Sequence, residues 1–417
     1  MSDVITLTEG QQRAYEAFAQ FILTTGPGVF VLKGYSGTGK STLVETLLDR
    51  LPKLMKTRQL LDPDNKEPQE EVLLTATTNQ AADTFSKITG DDVSTIHSVL
   101  GLRVHKDWKT GKTQLVPRRG TDIVRNAILF IDEASYIDRE LMEWVFRRTE
   151  NTKIIFIGDP AQLLNVGSTF APVFTADFPT AELTEVVRQA DGNPIIELST
   201  AFRHTVNTGE WLPFTPDGHH IQHLDRDAFE DAIIQEFDDP SWNHYRSKVL
   251  AWTNRCVINY NHAIRNHVKG EPALHVGDFA VCNSFVKVGN QSIKTDQIVR
   301  VTGITDDSAY GVSGKRYQLD HRYSVFVPDS WDEARARLKE ARTNDEPLVA
   351  MKIDEQWADL RAAYACTINK SQGSTFDKVF IDLDDIKRCN SGSQIARMLY
   401  VAVSRAREQV FLTGDLV

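Results

Sequence analysis

The chain has 417 residues, with 47 Lys+Arg against 57 Asp+Glu, a net charge of −10; 41% of residues are hydrophobic and 25% charged. Such a length holds two to four domains, and this composition excludes a disordered chain, a disulfide or zinc framework on four scattered cysteines and the coating of nucleic acid through bulk positive charge. No apolar run approaches the roughly 20 residues of a membrane span, and the start Met-Ser-Asp-Val-Ile has no basic n-region, so a cytoplasmic protein is expected.

In chain order, four short apolar runs come first: Val29–Leu32, Val72–Ala76, Ile128–Ile131 and Ile154–Ile157. Each is bounded by polar turns, the signature of strands buried on both faces. Helical patterns over Ser41–Asp49 and Asn79–Lys87 separate them, which predicts a parallel α/β sheet. Pro52 to Glu71, rich in charge and proline, is expected to be a surface connection. Residues 102–118 predict a hairpin with a glycine turn at Gly111. A second α/β set follows in Val249–Trp252, Lys378–Ile381 and Gln409–Leu412. Between them the texture changes. Phe279–Phe285, Gln297–Thr302 and Arg316–Val327 alternate as antiparallel strands of a small barrel, and Ser330 opens a charged helix with a capping box, its Glu333/Arg337 pair marking a solvated face.

Gly34-Tyr-Ser-Gly37-Thr38-Gly39-Lys40-Ser41-Thr42 matches G-x-x-x-x-G-K-[ST] between a strand and a helix. Its glycines let backbone N–H groups approach phosphates, beside the positive end of a helix. Lys40 would reach the β/γ oxygens and Ser41 would hold Mg²⁺. At the end of Ile128–Ile131, Asp132 would hold the same metal and Glu133 would orient an attacking water. Gly158-Asp-Pro-Ala-Gln162 ends the next strand, with Gln162 either a γ-phosphate sensor or a turn residue. Phosphoryl transfer needs fixed positive charge; Arg188 and Arg405 are candidates, or surface arginines. Gln11 stands in Thr8-x-x-Gln11, itself a capping box.

Taken together these segments resemble the motif series of the superfamily 1 helicases. The likeness runs from Leu7-Thr8-Glu9-Gly10-Gln11 through the glycine loop, Thr95-Ile-His97, Asp132-Glu133, Gly158 to Gln162 and Arg188. It continues through Thr367-Ile-Asn369-Lys-Ser-Gln-Gly373 and closes on Val403-Ser404-Arg405-Ala-Arg407. Leu-Thr-Glu-Gly-Gln, Ser94-Thr-Ile-His-Ser98, Glu182-Leu-Thr-Glu-Val186 and the compact length make it most similar to small phage-type members of the 5′-to-3′ RecD-like branch.

The resemblance implies an α/β fold of two RecA-like P-loop motor domains with parallel sheets: 1–180, and 181–267 with 362–417. A β-hairpin pin at about 102–118 belongs to the first, and a small β-barrel with a helical arm, 268–361, is inserted in the second. It implies ATP and Mg²⁺ between the motors, with Gln11 reading adenine, Gly34, Gly37, Thr38, Gly39, Lys40, Ser41, Thr42 and Gly373 binding nucleotide, and Ser41 and Asp132 holding the metal. Lys40, Asp132, Glu133, Gln162, Arg188 and Arg405 would form the catalytic set, both arginines coming from the second motor domain. Thr78, Asn79, Thr95, His97, Thr253, Asn254, Thr367 and Asn369 fall where the family contacts DNA, and Trp108 on the hairpin would part the strands. Asn79 and Asn369 replace histidines and lose an aromatic stacking face; Ser404 replaces threonine.

The expected activity is ATP-driven 5′-to-3′ movement on single-stranded DNA with separation of forked duplex. A translocase that mainly displaces proteins is the alternative, a phosphotransferase with a small acceptor a more distant one, and RNA a second possible track. A monomer is expected, with a single-strand-binding protein as partner by analogy and no membrane.

Overall fold

The computed structural model describes residues 6–61, 70–106, 113–165, 170–185 and 192–416. The chain forms two compact units, Met1–Pro213 with Leu399–Ser404, and Phe214–Met398 with Arg405–Val417.

The first unit runs α1 (Glu9–Leu23), β1 (Gly28–Gly34), α2 (Lys40–Leu61), β2 (Glu71–Ala76), α3 (Asn79–Thr89), β3 (Ser94–Thr95), α4 (Ile96–Val99), β4 (Leu102–Lys106), β5 (Thr113–Pro117), β6 (Val124–Asp132), α5 (Arg139–Arg147), β7 (Thr149–Gly158), α6 (Pro172–Thr175), β8 (Thr180–Leu183) and α7 (Pro194–Thr208). Its parallel sheet has the order β3-β2-β6-β7-β1-β8. The apolar runs alternate between two cores. Ile128 and Phe130 pack with Phe18, Leu43, Leu47 and Leu51 on one face, while Leu129 and Ile131 pack with Ile96, Leu141 and Val145 on the other. At about 1.5–3 kcal/mol per fully buried aliphatic or aromatic side chain, both faces are needed to order the sheet.

Two expectations for this unit need correction. Helix α2 continues through Pro52 to Leu61 instead of ending in a surface connection. Proline inside a helix costs about 3 kcal/mol, but Leu51 is buried and Leu54 and Met55 pack against the same core, which carries the helix on. The domain division also falls later, after Pro213 and not at 180. Strand β8 pairs with β1, from Val31 opposite Thr180 to Gly34 opposite Leu183, and so completes the first sheet. Strands β4 and β5 form an antiparallel hairpin from Leu102 opposite Pro117 to Lys106 opposite Thr113. Its tip, with Trp108, lies outside the described residues.

The second unit begins with β9 (Ile221–Leu224), α8 (Arg226–Phe237), β10 (Ser247–Ala251) and α9 (Asn254–Lys269). The inserted segment follows as β11 (Phe279–Cys282), β12 (Val286–Val288), β13 (Gln291–Ile293), β14 (Ile298–Ala309), β15 (Val312–Leu319), β16 (Tyr323–Pro328), α10 (Trp331–Thr343), α11 (Pro347–Gln356) and β17 (Leu360–Ala362). The chain then returns through β18 (Ala365–Thr367), β19 (Phe376–Asp382), α12 (Leu383–Ile386), α13 (Gly392–Ser404), whose residues from Leu399 on belong to the first unit, and β20 (Ala406–Thr413). Its parallel sheet is β18-β10-β19-β20-β9. The insertion is an antiparallel sheet, β16-β15-β14-β11-β17, around Val299, Val301, Tyr317, Leu319 and Val325. A bridge between Phe326 and Trp357 brings the β16 edge to the residues that lead into β17. Arg337 is not on a solvated face with Glu333: it donates to Tyr310 O (3.0 Å) and Glu346 (2.7 Å), which pins α10 to the sheet.

Candidate nucleotide site and strand-end threonines

Strand β1 delivers Gly34 to a tight loop, and α2 starts at Lys40. Gly37 and Gly39 have φ of +81° and +72°, conformations that side chains with a Cβ resist. Thr38 is buried and donates from Oγ1 to Tyr35 O (2.8 Å), and Lys40 Nζ donates to Gly34 O (3.0 Å) across the loop. Ser41 and Thr42 are exposed in the first turn of α2. Gln11 is the N3 residue of a complete capping box with Thr8, and its Nε2 donates to Thr38 O (3.4 Å) and Gly39 O (3.3 Å). The amide is thus tied to the loop itself.

Strand β6 carries Asp132 to the same end of the sheet. Burial pushes its carboxyl above the ordinary aspartate range, and the Lys40 charge opposes that rise. Glu133 turns out of the strand in the left-handed region, φ +54°, so its side chain leaves the strand's alternation. Thr77 donates from Oγ1 to Glu133 O (3.1 Å), and Asp132 O accepts from Thr77 N (3.3 Å), which fixes both acids against the end of β2. Gln162 is buried, its N–H donating to Asp159 O (3.2 Å).

Tyr400, also of the first unit, was not among the residues that sequence reasoning selected. Its hydroxyl donates to Asp159 Oδ2 (2.6 Å) and accepts from Ser36 N (2.8 Å), joining the glycine loop to the β7 end. Burial, then the Asp159 charge, pushes this phenol well above its ordinary value. A tyrosine in the otherwise apolar run Met398 to Val403 was the available signal.

In the second unit Arg405 is buried and donates to Ser374 O (3.2 Å), next to Gly373, whose φ is +76°. The structure thus brings Arg405 and the Gly373 turn together. Arg188 lies outside the described residues, and the elements on either side of it, β8 and α7, belong to the first unit, not the second. Lys370, also missed, donates to Asn283 (2.7 Å) and Asp296 (2.6 Å), tying the Asn369 turn to the inserted sheet.

The four threonines assigned to DNA share one local role. Thr78, Thr95 and Thr253 are N-caps of α3, α4 and α9, accepting from Ala81 N (3.1 Å), Ser98 N (3.3 Å) and Cys256 N (3.2 Å). Thr367 accepts from Lys370 N (3.3 Å) in the same i+3 pattern. Each stands at or just after the C-terminal end of a parallel strand, so all four emerge on the ligand-binding edge of their own sheet. Asn79 and Asn254 are the first residues of α3 and α9, and Asn369 opens the turn after β18. His97 sits in α4, where burial lowers its pKa despite Asp138 nearby.

A family model described as an AAA domain matches residues 6–226, more than half the chain, and one described as a UvrD-like helicase C-terminal domain matches residues 362–413. The chain is 26% identical to the ATP-dependent DNA helicase dda of Enterobacteria phage T4, over 97% of this chain and 98% of that protein. It is 29% identical to the ATP-dependent RecD2 DNA helicase of Deinococcus radiodurans, over 94% of this chain and 47% of that one. The chain belongs to the superfamily 1 helicases. Its place among them is Dda-like and RecD-like. The fold agrees: a structure of two coordinating Pif1 helicases at forked duplex DNA matches with TM-score 0.56 and 18% identity, over 99% of this chain and 93% of that one. A Pif1 helicase from Bacteroides, in complex with ADP-AlF3 and single-stranded DNA, matches at 0.53 and 17%, with the same coverage.

For a superfamily 1 helicase, the first unit gathers Lys40, Ser41, Asp132, Glu133 and Gln162 at one end of a single sheet. Among the described residues no three His, Cys, Asp or Glu side chains form a metal cluster. Among them, too, no helix is long and apolar enough to cross a membrane.

Proposed function

We propose that this protein hydrolyses ATP to move 5′ to 3′ along single-stranded DNA and separate forked duplex. The observation that carries this reading is the pairing of the glycine loop with Asp132 and Glu133 at the C-terminal edge of one parallel sheet, while a second parallel sheet presents capping threonines at its own edge. ATP would lie on the loop, its phosphates on the backbone N–H groups and Lys40. Ser41 hydroxyl and Asp132 carboxylate are oxygen donors of the kind Mg²⁺ prefers, and the ion would arrive bound to the nucleotide phosphates. When bound, it neutralises charge on the β and γ oxygens. Glu133 would orient the attacking water, Gln162 would sense the γ-phosphate, and Arg188 and Arg405 would stabilise the charge that builds during transfer.

Nucleotide affinity that differs between two conformations is what lets ATP drive movement. DNA stacking averages about 1.4 kcal/mol per step, a modest load for one pair opened per cycle. Thr78, Asn79, Thr95 and His97 in the first unit, and Asn254, Thr367 and Asn369 in the second, would grip the strand, with Thr253, expected there too, capping the turn that presents Asn254. Trp108 would stack on the last base pair. Direction rests on the likeness to the RecD-like branch.

The test is ATP turnover with and without DNA and RNA oligomers, followed by unwinding of 5′- and 3′-tailed duplexes. Stimulation by DNA and a need for a 5′ tail are expected. No stimulation, or preference for a 3′ tail, would overturn the proposal. Lys40→Ala should abolish turnover, and Trp108→Ala should cost unwinding at least tenfold more than it costs ATP hydrolysis.

A further inference from the structure

Thr253 and its neighbour Trp252 are held by a single buried carboxylate. Asp385 accepts from Trp252 N (2.8 Å) and Thr253 N (2.7 Å) on one oxygen, and from Thr253 Oγ1 (2.7 Å) on the other. Its own N–H donates to Asp382 Oδ1 (3.2 Å), which caps α12 and sets the direction from which Asp385 reaches the β10 end. Only 4% of Asp385 is exposed, so these bonds are shielded from competing water.

Hydroxyl valence then limits what Thr253 can do. Its oxygen accepts the capping bond from Cys256 N (3.2 Å), and its single proton goes to Asp385. A threonine has one O–H to give. While this arrangement stands, Thr253 has no proton for a phosphate oxygen. At Thr78 and Thr95, among the described residues, no carboxylate takes the hydroxyl proton. Beside Thr253, Asn254 is exposed at the start of α9, with an amide that can donate outward.

We propose that Asp385 is a positioning residue for DNA: it turns the Thr253 hydroxyl inward and locks the β10–α9 turn, so that Asn254 makes the contact that Thr253 itself cannot. This rests on the DNA-binding reading above. A rigid turn lowers the entropy lost when the strand binds, so the effect falls on affinity for DNA and not on the chemical step. Asp385 acts through Thr253 and the turn that it holds.

The full-length chain is titrated with a fluorescent single-stranded oligonucleotide, and ATP turnover is followed against DNA concentration. Asp385→Asn, whose amide keeps one acceptor oxygen, should raise the DNA concentration for half-maximal stimulation about tenfold, the worth of a lost charged hydrogen bond. Turnover at saturating DNA should change less than twofold. Thr253→Val should show the same split, Thr253→Ser should behave as wild type, and the Asp385→Asn/Thr253→Val double variant should be no worse than the weaker single one. Asn254→Ala should weaken DNA further on that background.

A folded Asp385→Asn protein within twofold of wild type in DNA affinity would overturn the proposal, as would additive losses in the double variant. Should Asp385→Asn fail to fold, Thr253→Val against Thr253→Ser decides: equal affinities for DNA would sink the idea. Failure of the wild type to bind DNA would instead refute the parent reading.

Discussion

In the first unit β2 lies between β3 and β6, and in the second β10 lies between β18 and β19. Thr78 follows β2 by two residues and Thr253 follows β10 by two, while Thr95 and Thr367 are the last residues of β3 and β18. The neighbouring central strands both close on acids: β6 ends on Asp132, with Glu133 next, and β19 ends on Asp382, with Asp385 soon after. There the likeness ends. Asp132 has its carboxyl pushed up by burial and pulled back by the Lys40 charge, with no side-chain bond, among the described residues, of the kind that ties the second pair. Asp382 accepts from Arg226 (3.0 and 3.3 Å) and Tyr260 (2.7 Å), and Asp385 accepts from Thr253. Parallel topology decides where polar side chains emerge, at the C-terminal strand ends. Whether an acid there meets a ligand or its own chain depends on its neighbours.

The largest effect that could break this comparison is on catalysis. Glu133→Gln should lower ATP turnover about 10²–10⁴-fold with nucleotide binding retained. Asp382→Asn, at the matching strand end, should instead lower unfolding free energy by ~1–3 kcal/mol, because Arg226 and Tyr260 lose a charged acceptor. Steady-state ATPase rates beside urea titrations separate the two, and an equal collapse of turnover in both variants would refute the distinction.

A smaller difference sharpens it. Thr78→Val removes a helix cap, at a cost of ~0.5–2 kcal/mol. Thr253→Val removes a cap and also leaves buried Asp385 short of a donor, so it should cost ~1 kcal/mol more. Equal losses in urea melts would mean that the Asp385 bond adds nothing.

An effect of similar size concerns Lys248 on β10, buried with its ammonium on Ala363 O. Burial pushes its pKa down to about 8. A folded-state value below the unfolded one of about 10.4 penalises the fold wherever the unfolded chain is protonated. That penalty is complete below pH 8 and fades as pH rises toward 10. Lys248→Met should therefore be more stable than wild type at pH 7, by ~1–2 kcal/mol once the lost bond to Ala363 is counted. The gain should shrink between pH 8 and 10, and a constant or growing gain would contradict this sign.

Much of this was legible in the chain. Buried parallel strands need unbroken apolar runs, so Val29–Leu32, Ile128–Ile131 and Ile154–Ile157 announced β1, β6 and β7. The glycine loop was legible because only certain residues tolerate its backbone. The division after Pro213 was not, since β8 is a short strand whose partner lies some 150 residues earlier in the chain. Nor was the course of α2 past Pro52, where distant packing outweighs a local breaker.

By itself the sequence determined the two α/β units and the glycine loop with its acids. Those features depend on periodicity and on near neighbours in the chain. Only tertiary structure decided that Gln11 holds the loop, that Tyr400 joins Ser36 to Asp159, and that Asp385 takes the proton of Thr253. Each of those bonds spans 27 to 364 residues. Hydrogen-bond partners so far apart leave no periodic trace, because each needs only a donor and an acceptor that folding brings together.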